Sequence, residues 1–129
     1  MYTIKRQSLF TDILKLEDEN NNSKEIAFSL SLDTNVLKEY RKIQLSLIDL
    51  QKDRDDQSPE KLEKYGKCIV ELFTLIFGEA NTEEILTFYE NNYTAMLIDI
   101  FPYIRDIVVP EFQKTAKRMS KNISNRFKK

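Results

Sequence analysis

Apolar and polar residues alternate in the first quarter of the chain, then fall into three- and four-residue spacing, so a strand-forming part precedes a helical one. Leu9-Phe10-Thr11-Asp12-Ile13-Leu14-Lys15-Leu16 and Glu25-Ile26-Ala27-Phe28-Ser29-Leu30-Ser31-Leu32 are the alternating runs, and Glu17 to Ser23 is polar between them. Together they predict a β-hairpin within 1–32. Ile26, Phe28, Leu30 and Leu32 share one face, as do Leu14 and Leu16, and that face needs helices to lie on because two strands alone are marginal.

Five helical segments follow. The first starts after Asp33, Thr34 or Asn35, each able to accept a first-turn amide bond. Its stripe is Val36, Tyr40, Ile43, Leu47 and Leu50, widened by Leu37 and Ile48, and it dissolves in the polar loop from Lys52 to Gln57. Ser58 caps the second helix, with Pro59 at its first position and Glu60 in the positive first turn. Leu62, Tyr65, Ile69, Leu72 and Ile76, flanked by Phe73 and Phe77, form the broadest apolar face, which marks this helix as central. Gly66 in its middle costs about 1 kcal/mol against alanine and predicts close backbone contact with a neighbour. Gly78 predicts a left-handed helix end.

Asn81 and Glu84 are spaced as a capping-box variant, placing the start of a short third helix at Thr82, with Ile85, Leu86, Phe88 and Tyr89 as its apolar residues. After Asn91-Asn92 a fourth segment turns Met96, Leu97, Ile100, Phe101 and Ile104 inward. Pro102 predicts a kink or restart, and Pro110 another. Beyond it Phe112, Ala116, Met119, Ile123 and Phe127 form a thinner stripe. The expected fold is mainly α: one small helical domain of four to five helices with an N-terminal β-hairpin, divided into the hairpin (1–32), a helical core (33–113) and a basic C-terminal helix or tail (114–129).

Composition sharpens this picture mainly by exclusion. The 129 residues suit one domain, and 20 basic against 21 acidic side chains provide no overall field for nucleic acid. The distribution is uneven, because 114–129 holds seven basic residues and no acid. No run is long enough to predict a membrane span or a signal peptide. The one cysteine, Cys68, excludes an internal disulfide and fits a reducing cytoplasm. Histidine is absent, which removes the usual general base, the commonest metal ligand and every Ser/His or Cys/His pair.

The remaining candidate chemistry is thin, and no cofactor is expected. Asp53-Arg54-Asp55-Asp56-Gln57 and the run from Asp18 fail the ligand pattern of a calcium loop, which makes both solvated loops. Asp99 and Asp106, seven apart with Arg105 beside them, are expected in ion pairs or on an exposed face. The aromatics Phe73, Phe77, Phe88, Tyr89, Tyr93, Phe101, Tyr103 and Phe112 are interleaved with acids, which favours core packing over base stacking. The basic end reads either as a solvated terminus or as a partner-binding amphipathic helix. In the second reading Phe112, Lys117, Arg118, Met119, Lys121, Ile123 and Phe127 make the contacts, and an acidic helical partner or the acidic body of a second copy suits them.

Leu62 to Pro110 also carries a family resemblance. Leu72-Phe73-Thr74-Leu75-Ile76-Phe77-Gly78-Glu79, then Tyr89-Glu90-Asn91-Asn92-Tyr93-Thr94-Ala95-Met96 and Asp99-Ile100-Phe101-Pro102-Tyr103-Ile104, resembles the small helical tail-assembly chaperones of long-tailed phages of Gram-positive bacteria. Including the helix from Val36 to Leu50, it covers about residues 26 to 112. The resemblance implies a non-enzymatic protein of the infected host's cytoplasm that coats the tape-measure protein and hands it to tail-tube subunits, with no active-site residues to carry over. The alternative is a structural virion component, such as a head-tail connector or minor tail protein.

Overall fold

The computed structural model describes residues 1–4, 9–52, 58–115 and 117. It is mainly helical with an N-terminal two-stranded antiparallel hairpin, as the spacing predicts. Strand β1 (Phe10–Glu17) pairs with β2 (Ser23–Leu30) in a register that sets Ile13 opposite Ala27. Between them Asp18 builds the turn: its carboxylate accepts from the Asn22 side-chain amide and from the backbone N–H groups of Asn20 and Asn22, each at 2.9 Å. Those bonds hold the Asp18 carboxyl below the usual carboxylate range, the Asn22 amide foremost. They also allow Asn21 its positive φ of 64°. Leu16, Ile26, Phe28 and Leu30 are buried, Leu14 is half-buried, and Leu32 lies just beyond the strand.

Helix α1 (Thr34–Lys52) begins where Asp33 Oδ1 accepts from Val36 N–H at 2.9 Å. It buries Tyr40, Ile43 and Leu47, whereas Ile48, expected to widen the stripe, is 44% exposed. The expected loop 53–57 lies outside the described residues. Helix α2 (Pro59–Phe77) is capped by Ser58, which accepts from Lys61 N–H. It touches α1, the hairpin and both helices that follow, so it is the central helix. Leu62, one turn from its start, is 58% exposed and does not belong to the buried stripe. Gly66 does face a close neighbour, but a side chain rather than backbone: a Cβ there would meet Tyr93 Cδ2 and Cε2 at 3.1 Å.

Gly78 ends α2 with φ 89° and ψ 163°, an extended positive-φ conformation rather than the expected left-handed one, and its N–H donates to Thr74 O. Helix α3 (Glu79–Phe88) starts at once, three residues earlier than a capping box at Asn81 would have it. Asn81 does a different job. Its Nδ2 donates to Phe77 O and to Ala27 O, both at 2.9 Å, which fastens the end of α2 to β2. Helix α4 (Tyr93–Tyr103) is capped by Asn92, whose Oδ1 accepts from Ala95 N–H.

Pro102 and Pro110 do not restart the helix. A π turn (Ile104–Val108) lies between them, in which Val109 N–H reaches back to Ile104 O, and residues 109–115, here α5, continue it. The π turn solves a register problem. Met96, Ile100, Ile104, Val108 and Phe112 are all buried, each four residues after the last. In an unbroken α-helix that spacing drifts roughly 40° per step, about halfway round the helix by the fifth residue. A π turn holds more residues per turn and rotates the stripe back. Among the described residues no helix is long and apolar enough to cross a membrane.

Candidate interaction surface

The same periodicity creates a second row beside the buried one. Leu97, Phe101, Arg105, Val109 and Gln113 also step by four along α4, the π turn and α5, and every one of them lines a groove whose other wall is α1. Both walls lean on α2. Two hollows make up the groove. The larger, about 450 Å³, lies among Leu37, Tyr40, Arg41, Gln44 and Leu45 of α1 and Arg105, Val109 and Gln113 opposite. The smaller, about 160 Å³, lies among Gln44, Leu47, Ile48 and Gln51 and the facing Leu97 and Phe101. Gln44 lines both, so they are continuous along α1.

The groove has an apolar end and a basic end. At the first, Ile48 stands on the rim, and Ile98 on α4 is 66% exposed next to the lining residue Leu97. Leu45, 63% exposed, continues the apolar rim toward the other end. There Arg41 has no acidic partner among the described residues, and Arg105 is held by Asp106 through Nε–Oδ1 at 2.8 Å and Nη2–Oδ2 at 3.0 Å. That bidentate contact raises the Arg105 pKa and lowers that of Asp106. Burial pushes the Tyr40 phenol up, opposed by the charge of Arg105. None of the described residues lining either hollow is acidic. An amphipathic helix with apolar and acidic positions complements such a groove.

Asp99 and Asp106, the carboxylates singled out by spacing, do not meet. Asp99 accepts from Tyr89 O–H at 3.0 Å, and Asp106 serves Arg105. Among the described residues no group of three or more Cys, Asp and Glu side chains is placed to hold a metal ion. Most of the aromatic set lies in or against the core, while Tyr93 is 38% exposed.

Of the residues expected to meet a partner, Phe112 is a core residue at 3% exposure, because the π turn rotates it inward, and it is not available to one. Thr115 is buried too, so the folded core extends past the expected boundary at 113. Lys117 is helical and exposed. Arg118, Met119, Lys121, Ile123 and Phe127 lie outside the described residues. Sequence reasoning missed Arg41, Leu45 and Ile98. The available signal was that Leu45 and Ile98 are large apolar residues lying off their helices' buried stripes. Comparison with protein-family models, with curated proteins and with solved structures finds no match.

Proposed function

We propose that this chain is a binding protein that takes an apolar and acidic helix of an elongated partner into the groove between α1 and the α4–α5 wall. The observation that supports it is the groove itself: apolar on its rim, basic at one end, and lined along α1 from Leu37 to Gln51. The resemblance carried by Leu62 to Pro110 supplies the partner class. On that reading the chain is a phage tail-assembly chaperone of the bacterial host's cytoplasm, its partner the tape-measure protein, with the tail-tube subunit as recipient.

Co-expression with the tape-measure protein of the same genome tests this. A complex that elutes as one species, and a tape-measure protein that stays in solution only when the chain is present, are the expected results. Ile48→Asp with Ile98→Asp places charge on the exposed rim and should weaken the complex at least about tenfold, since a carboxylate would be desolvated against apolar surface. Truncation after Lys117 tests the basic residues that follow, which should add to affinity. No complex, or binding indifferent to the rim variants, refutes the groove. Recovery of the chain in purified virions by mass spectrometry would instead establish a structural component.

A further inference from the structure

We infer that the outer edge of β1 is a strand-pairing site for a second copy of this chain, centred on Ile13 and guarded by Asp12. The inference is independent of the groove. It begins with which way the backbone points. Along an antiparallel strand the N–H and C=O of alternate residues face opposite edges. Ala27 O faces away from β1, since it accepts from Asn81 on α3, and Ile13 N–H faces away from β2, since it donates to Asp12 Oδ1 at 2.8 Å. Ile13 and Ala27 are cross-strand partners, so the two observations agree. The outer edge of β2 is covered by α3 at Asn81, whereas among the described residues β1 has no other strand beside it.

One free edge of eight residues favours closure as a pair rather than growth into a fibre, because an isologous contact uses it up. It also turns a two-stranded hairpin, marginal by itself, into a four-stranded sheet.

The register follows from face and charge. Only pairings that set odd residues opposite odd ones keep the buried face on one side. Centring on Asp12 or Lys15 sets like charges opposite each other, which is unfavourable. Centring on Leu14 sets Ile13 against Lys15 and leaves Phe10 against Asp18. Centring on Ile13 joins two isoleucines, each 60% exposed in one copy, sets Phe10 opposite Leu16 on the inner face and Thr11 opposite Lys15 on the outer, and its one mismatch is Asp12 opposite Leu14, the guard itself.

Asp12 controls access. Its Oδ1 occupies the Ile13 N–H that the second copy needs, and its Oδ2 is held at 2.5 Å by the Tyr103 hydroxyl, with the Tyr103 ring edge-on to Phe28. A carboxylate on the core-facing side of an edge strand is a recognised way of discouraging strand addition. Loss of either contact exposes the edge.

Cross-linking of the full chain in a Cys68→Ser background tests the register. The two Ile13 Cα atoms would be about 5.5 Å apart, within disulfide range, whereas the two Thr11 Cα atoms would be about 14 Å apart. Under mild oxidation Ile13→Cys should form a disulfide-linked dimer at least about tenfold faster than Thr11→Cys or the exposed control Leu45→Cys. Sedimentation equilibrium tests the guard. Asp12→Ala and Tyr103→Phe should each raise the association constant severalfold to about tenfold while circular dichroism keeps its native shape. Equal rates for the three cysteine variants overturn the interface. Unchanged association in both guard variants overturns the role of Asp12.

Discussion

Gly78 illustrates how much one residue contributes where two helices share a junction. Its φ of 89° with ψ of 163° belongs almost to glycine alone, and an added Cβ would touch nothing within 4 Å. Gly78→Ala should therefore destabilise through backbone strain only, by about 1–3 kcal/mol, read as a shift in the urea midpoint with an unchanged slope. Tyr89 offers a titration test. Burial, reinforced by its hydrogen bond to Asp99, pushes its phenol up to about 12. A raised folded-state pKa gives stability that is complete below the ordinary phenol range, near 10, and is lost as pH rises toward the folded value. Between pH ~10 and ~12 the wild-type chain should lose stability, and Tyr89→Phe should lose less, as measured by urea titrations across that range.

At the scale of elements, the hairpin, the Ser58-Pro59 start of α2 and its end at Gly78 were legible because each depends on neighbours in sequence. The start of α3 was not, because Asn81 bonds to a carbonyl 54 residues away and no local rule contains Ala27. The π turn was missed for a related reason: Pro102 and Pro110 read as two interruptions, while the informative signal was the strict four-residue spacing from Met96 to Phe112. That spacing makes a test. A π turn is an α-helix with one extra residue, so deleting Ile107, which is 48% exposed, leaves Ile104, Val108 and Phe112 spaced three and four apart, still one α-helical stripe. The deletion should change stability by less than about 1 kcal/mol, whereas deleting Val70 from unbroken α2 throws Leu72, Phe73 and Ile76 off the core and should unfold the domain. Thermal melts of the two variants distinguish these outcomes.

For the whole molecule, the groove follows from where α1 and the α4–α5 wall stand on α2. Neither wall is visible in the spacing of one helix, and for that reason Arg41, Leu45 and Ile98 escaped a reading that placed partner contacts at the basic end of the chain. Ile48→Asp and Ile98→Asp exchange exposed side chains, so each should leave the unfolding free energy within about 0.5 kcal/mol of wild type while binding is lost. A stability loss of several kcal/mol would instead make the rim part of the core.

The bond from Asn81 to Ala27 bears on how the chain assembles in time. It closes a loop holding α1 and all of α2, and that loop must be organised before the two groups meet. Docking of the hairpin is therefore a late event, following the local helical contacts that form first. Replacing Asn81 with alanine should leave the refolding rate nearly unchanged and speed unfolding about fivefold or more, as expected for a contact absent from the transition state. Stopped-flow traces in denaturant read both limbs. The hairpin, which precedes every helix it packs against, would be the last part of the fold to settle.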